Sequence, residues 1–276
     1  DIQSPSPSWG LDRIDQRALP LNSTFTASAK GANVDVYIVD TGIYSAHSDF
    51  TGRLSAGFTA INDGNGTNDC NGHGTHVAGT SAGTTYGIAK SATLIPVRVL
   101  GCTGSGTTSG VIAGLDWIVG HHVAGKTAVA NMSLGGGISA TLDAAVSRLI
   151  TAGFTVVVAA GNSAADACQT SPAHVASAIT VGATSQVDAM ASFSNFGVCV
   201  DLFAPGVDIK SAWIGAATST KTISGTSMAS PHVAGVVAQY LSSANPATAP
   251  AAIAAVISQG ASGGKVSGNL AGAPNL

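Results

Sequence analysis

Glutamate is missing from this chain of 276 residues: all 14 acidic side chains are aspartate. The absence excludes H-E-x-x-H zinc proteases, mechanisms that depend on a catalytic Glu and EF-hand loops closed by a bidentate Glu. Charge of either sign is scarce, at 9% of residues with a net charge of −3, against about 25% in an average domain. There is no basic footprint for nucleic acid, so none is expected as a partner. Low charge beside 45% hydrophobic content also excludes an intrinsically disordered chain. No apolar run approaches the ~18 residues of a membrane span, so no membrane association is expected. No C-x-x-C pair exists, which removes zinc-ribbon and thioredoxin-type readings. Internal repeats and low-complexity linkers are lacking too.

The four cysteines, Cys70, Cys102, Cys168 and Cys199, leave three pairings open. Disulfides need an oxidising compartment. The chain begins at Asp1 without a signal peptide, so the expectation is a processed, secreted, extracellular protein. Residues 1–276 are expected to form a single domain.

The chain alternates strand and helix signals. Asn33–Asp40, Thr93–Leu100, Ala128–Leu134, Phe154–Ala160, Ala178–Ala183 and Val198–Phe203 are near-continuous apolar runs. Such runs suit a parallel sheet covered on both faces. His73–Gly83, Thr108–Ala124, Ala140–Ala152 and Ser227–Ser243 carry small or apolar residues at helical spacing, and a later helix is expected near Pro250–Ser258. The pattern predicts a doubly wound α/β fold with a mostly parallel sheet and helices on both faces. Its site should lie outside the carboxyl ends of the strands.

Three residues near such ends carry chemistry. Asp40 ends the first run in Asp40-Thr41-Gly42. An aspartic protease would need a second D-T-G or D-S-G to share a proton, and the chain has neither. His73 lies in Asn71-Gly72-His73-Gly74-Thr75-His76-Val77-Ala78-Gly79, where a glycine-rich loop enters a helix. A metal held by His73 and His76 would lack a third His or Cys ligand. Ser227 lies in Gly225-Thr226-Ser227-Met228-Ala229-Ser230-Pro231-His232, at the first turn of an apolar helix whose amides and dipole favour an oxyanion. Read singly, these are a strand-end turn, a structural histidine and an N-cap. Together they run in the order Asp, His, Ser, the order known for subtilisin.

These strings identify the chain as similar to the subtilisin-like serine proteases (subtilases), most closely the proteinase K branch. The resemblance spans nearly the whole chain, from Trp9-Gly10-Leu11-Asp12 to the C-terminal region. It implies a secreted serine endopeptidase acting on proteins and peptides, monomeric, with a pro-segment as partner during maturation. Ser227 would be the nucleophile, His73 the base and Asp40 its orienting carboxylate. Asn162, in Ala159-Ala160-Gly161-Asn162, would be the oxyanion donor. Substrate would bind along Leu100, Gly104, Ser105 and Gly106 on one side and Ser133, Leu134, Gly135 and Gly136 on the other. Its primary pocket would lie between the latter and Ala159, Ala160 and Gly161. Those segments carry no Asp or Lys, so apolar or aromatic P1 side chains are expected. The resemblance further implies the pairings Cys70–Cys102 and Cys168–Cys199, and Ser171-Pro172 resembles a site where relatives carry a cis peptide bond. Structural Ca²⁺ would bind Asp201 with the carbonyls of Ala176 and Ala178. A second ion would use Asp12, Asp15, Gln16 and Asn22, although Asn22 stands where an acidic ligand is commoner. Asp63 and Asp69 are weaker candidates. His121-His122 reads as a solvated pair.

Competing classes fit less well. A catalytically dead binding module would not need all four of Asp40, His73, Ser227 and Asn162. An α/β-hydrolase esterase wants G-x-S-x-G and the order Ser, Asp, His. A dinucleotide fingerprint fails because Gly104-Ser105-Gly106 reaches Gly110 with the wrong spacing.

Overall fold

The computed structural model describes residues 2–27, 29–123 and 125–275. The six apolar runs supply six of the seven strands of the main sheet, and Phe58–Thr59, which the sequence did not suggest, is the other: β1 Val34–Asp40, β2 Phe58–Thr59, β3 Thr93–Arg98, β4 Thr127–Met132, β5 Thr155–Ala159, β6 Ile179–Thr184 and β7 Leu202–Pro205. They pair in the order β7-β6-β5-β4-β1-β3-β2, every pair parallel. The six main helices are α1 Trp9–Ile14, α2 His73–Ala82, α3 Thr108–His121, α4 Ala140–Thr151, α5 Thr226–Leu241 and α6 Pro250–Gly260.

Side chains alternate across a strand, and here both faces are apolar. Val34, Val36 and Ile38 of β1 pack in one core with Val77 of α2 and Val233 and Val237 of α5. Tyr37 and Val39 pack in the other with Leu115 of α3 and Leu149 of α4. This is the doubly wound α/β architecture with helices on both faces. The central position of β1 brings its carboxyl end, with Asp40, between those of β3 and β4. Leu100, Ser133 and Asn162 follow β3, β4 and β5.

The expected run Val198–Phe203 is corrected to β7 Leu202–Pro205. Gly197 turns the chain at φ 96°, Val198 is exposed and Cys199 is bridged to Cys168. Parallel pairing starts only at Leu202 with Val181. Helix α3 ends at His121, and the expected end at Ala124 lies outside the described residues. The His121-His122 pair meets the expectation at His121, which is exposed, but not at His122, which is half-buried. His121 stacks on Trp117 at 4.2 Å between ring centroids. His122 sits edge-on to Phe154, its Nδ1 is buried without a partner, and burial lowers its pKa.

An antiparallel hairpin, β8 Ile209–Ala212 and β9 Thr220–Ile223, follows the sheet. Its strands are four residues each and too polar to stand out in the sequence. Both disulfides, Cys70–Cys102 and Cys168–Cys199, are present. Ser171–Pro172 is cis. No described helix is long and apolar enough to cross a membrane.

Candidate active site

Asp40 is fully buried at the end of β1, and its Oδ1 accepts from Thr41 N and from His73 Nδ1, each at 2.7 Å. A carboxylate only accepts here, so Nδ1 of His73 carries the proton and Nε2 keeps a free lone pair. Burial of the ring by itself lowers the His73 pKa. The charge and hydrogen bond of Asp40, with a contribution from Asp69, outweigh it and raise the pKa above the ordinary 6.5.

The loop before α2 is held by a second buried carboxylate. Asp69 accepts from Asn71 N, Gly72 N and Thr75 N and from Thr75 Oγ1, at 2.6–3.0 Å. The glycines flanking His73 serve close packing. A Cβ at Gly72 would lie 2.4 Å from the Trp213 ring, and one at Gly74 would lie 2.2 Å from the carbonyl oxygen of Gly42. Asp63 is bound by the buried guanidinium of Arg98, whose hydrogen bonds hold its carboxyl well below the usual range. Asp63 and Asp69 are thus structural anchors.

Ser227 occupies the second position of α5, after Gly225 as N-cap. Its hydroxyl donates to the carbonyl of Ser133 at 3.1 Å. The hydroxyl proton is therefore given to Ser133 and not to His73, the base expected for it. Asn162 follows β5 and is exposed. Its Oδ1 accepts from Thr226 N at 2.8 Å and Thr226 Oγ1 at 2.9 Å, which assigns the amide orientation and leaves Nδ2 to donate. A Cβ built on Gly225 would lie 3.7 Å from that Nδ2 and 3.6 Å from the Ser227 amide nitrogen. Two N–H donors thus border one small space. Buried Asn195 supports the turn before it, giving Nδ2 to Ala160 O at 2.9 Å and accepting from Ser163 N and Ala165 N. The sequence reading assigned no part to Asn195 or Thr226; Thr226 lay within the quoted Gly-Thr-Ser string, whereas Asn195 left no local signal.

A cleft of about 460 Å³ opens beside His73, lined by Leu100, Gly104–Gly106, Ser133–Gly136 and residues the sequence did not suggest, including Val111 and Leu142. Among the described residues, none with a formal Asp, Lys or Arg charge lines it. Ala159, Ala160 and Gly161 do not line this cleft. The two alanines are buried at the end of β5, and Gly161 N is engaged by Thr226 Oγ1 at 3.1 Å. Gly136–Gly137 pairs antiparallel with Thr170–Ser171. A separate cavity of about 530 Å³ lies among α1, α5, α6 and β7, lined by none of these residues.

The calcium candidates divide. Asp201 lies where β6 and β7 begin, with Oδ2 accepting from Thr180 N at 2.8 Å. Burial raises its pKa and that one amide only partly opposes the rise. A hard cation suits a carboxyl so placed; Ala178 directly precedes β6, two residues before Thr180. Asp12, Asp15, Gln16 and Asn22 are joined to one another and to neighbouring amides by hydrogen bonds. Asp12 accepts from Gln16 Nε2, Asn22 N and Ser23 N, and Asn22 Oδ1 accepts from Thr24 N and Oγ1. Asp15 Oδ2 accepts from Thr26 N at 2.6 Å. Burial and the neighbouring Asp12 charge raise the Asp15 pKa, as burial raises that of Asp201.

Comparison with known proteins agrees with this geometry. A family profile described as "Subtilase family" matches residues 31–273. An extracellular serine proteinase of Thermus sp. (strain Rt41A) is 62% identical over 240 residues, covering 87% of this chain and 58% of that protein. Alkaline serine exoprotease A of Vibrio alginolyticus is 53% identical over 266 residues, covering 96% and 49% respectively. The chain thus spans about half to three fifths of these relatives' lengths. The crystal structure of a cold-adapted subtilisin-like serine proteinase superposes with a TM-score of 0.92 at 52% identity, covering 97% of this chain and 96% of that one.

Proposed function

This chain belongs to the subtilase family, and from that premise we propose that it is a secreted serine endopeptidase with Ser227 as nucleophile. The observation that carries the proposal is the 2.7 Å bond from buried Asp40 to His73, at a cleft whose wall, Ser133, touches the Ser227 hydroxyl.

A serine hydroxyl is a weak nucleophile without a base. Substrate entering the cleft competes for the Ser133 carbonyl and frees the Ser227 proton for Nε2 of His73. Oγ then attacks the scissile carbonyl carbon while His73 takes the proton. The resulting imidazolium is stabilised by Asp40, which stays ionised. The amide of Ser227 and Nδ2 of Asn162 would donate to the oxyanion. Collapse of the tetrahedral intermediate expels the amine, which receives the proton from His73, and leaves an acyl-enzyme. Water, deprotonated by the same imidazole, releases the acid.

The backbone of Ser133–Gly136, with Gly104–Gly106 opposite, would pair with an extended peptide. The uncharged lining supports apolar or aromatic P1 groups, so cleavage after Phe or Leu should exceed that after Lys; a preference for Lys would contradict the pocket. One structural Ca²⁺ would be held by Asp201, Ala176 and Ala178, neutralising a desolvated carboxylate. Secretion is supported by the two disulfides and by the name of the Thermus relative. The test is a serine-directed phosphonate with peptide mass mapping, beside casein hydrolysis. An adduct on Ser227 and loss of hydrolysis in Ser227→Ala are expected. An adduct elsewhere would overturn the assignment.

A further inference from the structure

Helix α5 contains Pro231 four residues after Ser227. Proline has no N–H, so the carbonyl of Ser227 lacks its normal donor from the next helical turn. A buried carbonyl must find another partner. Ser133 supplies it, its Oγ donating to Ser227 O at 2.8 Å. In return, Ser227 Oγ donates to the main-chain carbonyl of Ser133 at 3.1 Å. The end of β4 and the start of α5 are therefore tied by two reciprocal hydrogen bonds.

A hydroxyl has one proton and can rotate. What directs the Ser133 proton is Asn131, two residues earlier on β4, whose Nδ2 donates to Ser133 Oγ at 2.9 Å. A donor on that side fills a lone pair of the oxygen and turns its proton toward Ser227. The Asn131 amide is itself oriented by Ser230, whose Oγ donates to Oδ1 at 2.7 Å. Asn131 and Ser230 are both 0% exposed and Ser133 is 3% exposed. The relay begins at Ser230 on α5, crosses to β4, and returns to α5 one turn earlier. With the amide reversed, Oδ1 would draw the Ser133 proton away from Ser227.

We infer that Asn131 and Ser230 are positioning residues for the reaction. By fixing the direction of the Ser133 hydroxyl, they hold the main chain of Ser227, and hence its amide and Oγ, at the position that Pro231 leaves unsupported. Neither residue lines the cleft, so their effect falls on acylation and not on substrate affinity. The inference rests on Ser227 being the nucleophile.

The experiment compares Asn131→Ala, Asn131→Asp and Ser230→Ala in the full chain, each also combined with Pro231→Ala. Readouts are the phosphonate inactivation rate per labelled site, kcat, KM and Tm. Asn131→Ala should slow inactivation and kcat about tenfold, the worth of one lost, well-aligned hydrogen bond, with KM within about twofold. Asn131→Asp, of the same size, places an acceptor against Ser133 and should do at least as much. Ser230→Ala, the mildest change, should cost about threefold and reports even if Asn131→Ala does not fold. In Pro231→Ala, residue 231 regains an N–H for Ser227 O, and the loss from removing Asn131 or Ser230 should shrink to within about twofold. Inactivation at the parent rate, a loss equal in both backgrounds, or a rise in KM at constant kcat would overturn the inference. Absence of label on Ser227 in the parent protein would instead overturn the nucleophile reading on which it stands.

Discussion

His73 and His76 lie one turn apart on α2, yet their surroundings send their proton affinities in opposite directions. The side chain of His73 is 27% exposed and bonded to the Asp40 carboxylate, and its pKa is raised. His76 is 0% exposed. Its Nε2 lies 2.9 Å from Ile209 O and 3.2 Å from Lys221 O, its Nδ1 is unpartnered, and burial lowers its pKa to about 3. His232, on α5, follows His76: burial lowers its pKa to about 4 while Nδ1 lies 2.7 Å from Met228 O. Burial opposes protonation in all three. Carbonyl oxygens do not reverse that, whereas a full negative charge does. A histidine gains proton affinity here through the carboxylate placed against it, which is why the end of β1 matters as much as the helix that carries the ring.

Removing that charge breaks the comparison most directly. Asp40→Asn should lower kcat about 10⁴-fold, as the equivalent change does in a well-studied serine protease, and a loss under about tenfold would deny Asp40 its role. Asn162→Leu leaves His73 and Asp40 alone and separates oxyanion binding from base catalysis. It should lower kcat about 10²- to 10³-fold, the effect known for subtilisin's own asparagine, without moving the His73 titration. Unchanged kcat would remove Asn162 from the mechanism.

Acid should act on the two regions differently. His73 must be neutral to accept a proton, so kcat/KM should fall as pH drops through its raised pKa, with a midpoint above 6.5. Stability responds to His76 and His232 instead. Their folded pKa values lie below the unfolded 6.5, so the unfolded chain binds protons first. Stability is complete above about pH 6.5 and is lost as pH falls toward the folded values. His73 has the opposite sign: its contribution is present below 6.5 and is lost as pH rises through its folded pKa. Urea midpoints between pH 4 and 7 that stay level would contradict the assignment for the buried pair.

Cross-links and ions test the scaffold around both histidines. Cys70→Ser/Cys102→Ser should lower stability by up to about 3.7 kcal/mol, the loop-closure value for a loop of this length. No change in the denaturant midpoint would show that the hydrogen bonds of Asp69 and the Arg98–Asp63 pair hold that loop without the cross-link. Chelation should lower Tm, and Asp201→Asn should abolish most of that response, whereas Asp12→Asn should not. A Tm indifferent to Ca²⁺ would count against the Asp201 site.

Much of this was legible in the sequence because the informative residues sit in contiguous strings. Val34–Asp40 announces a buried strand ending in a carboxylate, and the strings around His73 and Ser227 hold both side chain and helix start together. What stayed hidden depends on partners distant in the chain. Asn131 and Ser230 are 99 residues apart, and neither has a local pattern. His122 reads as polar surface until Phe154 is brought against it. Val198–Val200 reads as strand because three apolar types are adjacent, yet Gly197 and the Cys168 bridge hold it as a turn. Asp12 and Asp15 read as cation ligands, but the amides of Asn22, Ser23 and Thr26 that they accept from lie 10 or 11 residues on and leave no local signal.

The most direct measurement is an imidazole ¹⁵N titration of the parent protein and Asp40→Asn, with His73 and His76 resolved. The account predicts that His73 titrates above pH 6.5 in the parent and below it in the variant, while His76 stays neutral through the same range in both. A His73 titration that does not move when the carboxylate is replaced, or a His76 that protonates alongside it, would contradict the claim that Asp40 makes His73 the base for Ser227.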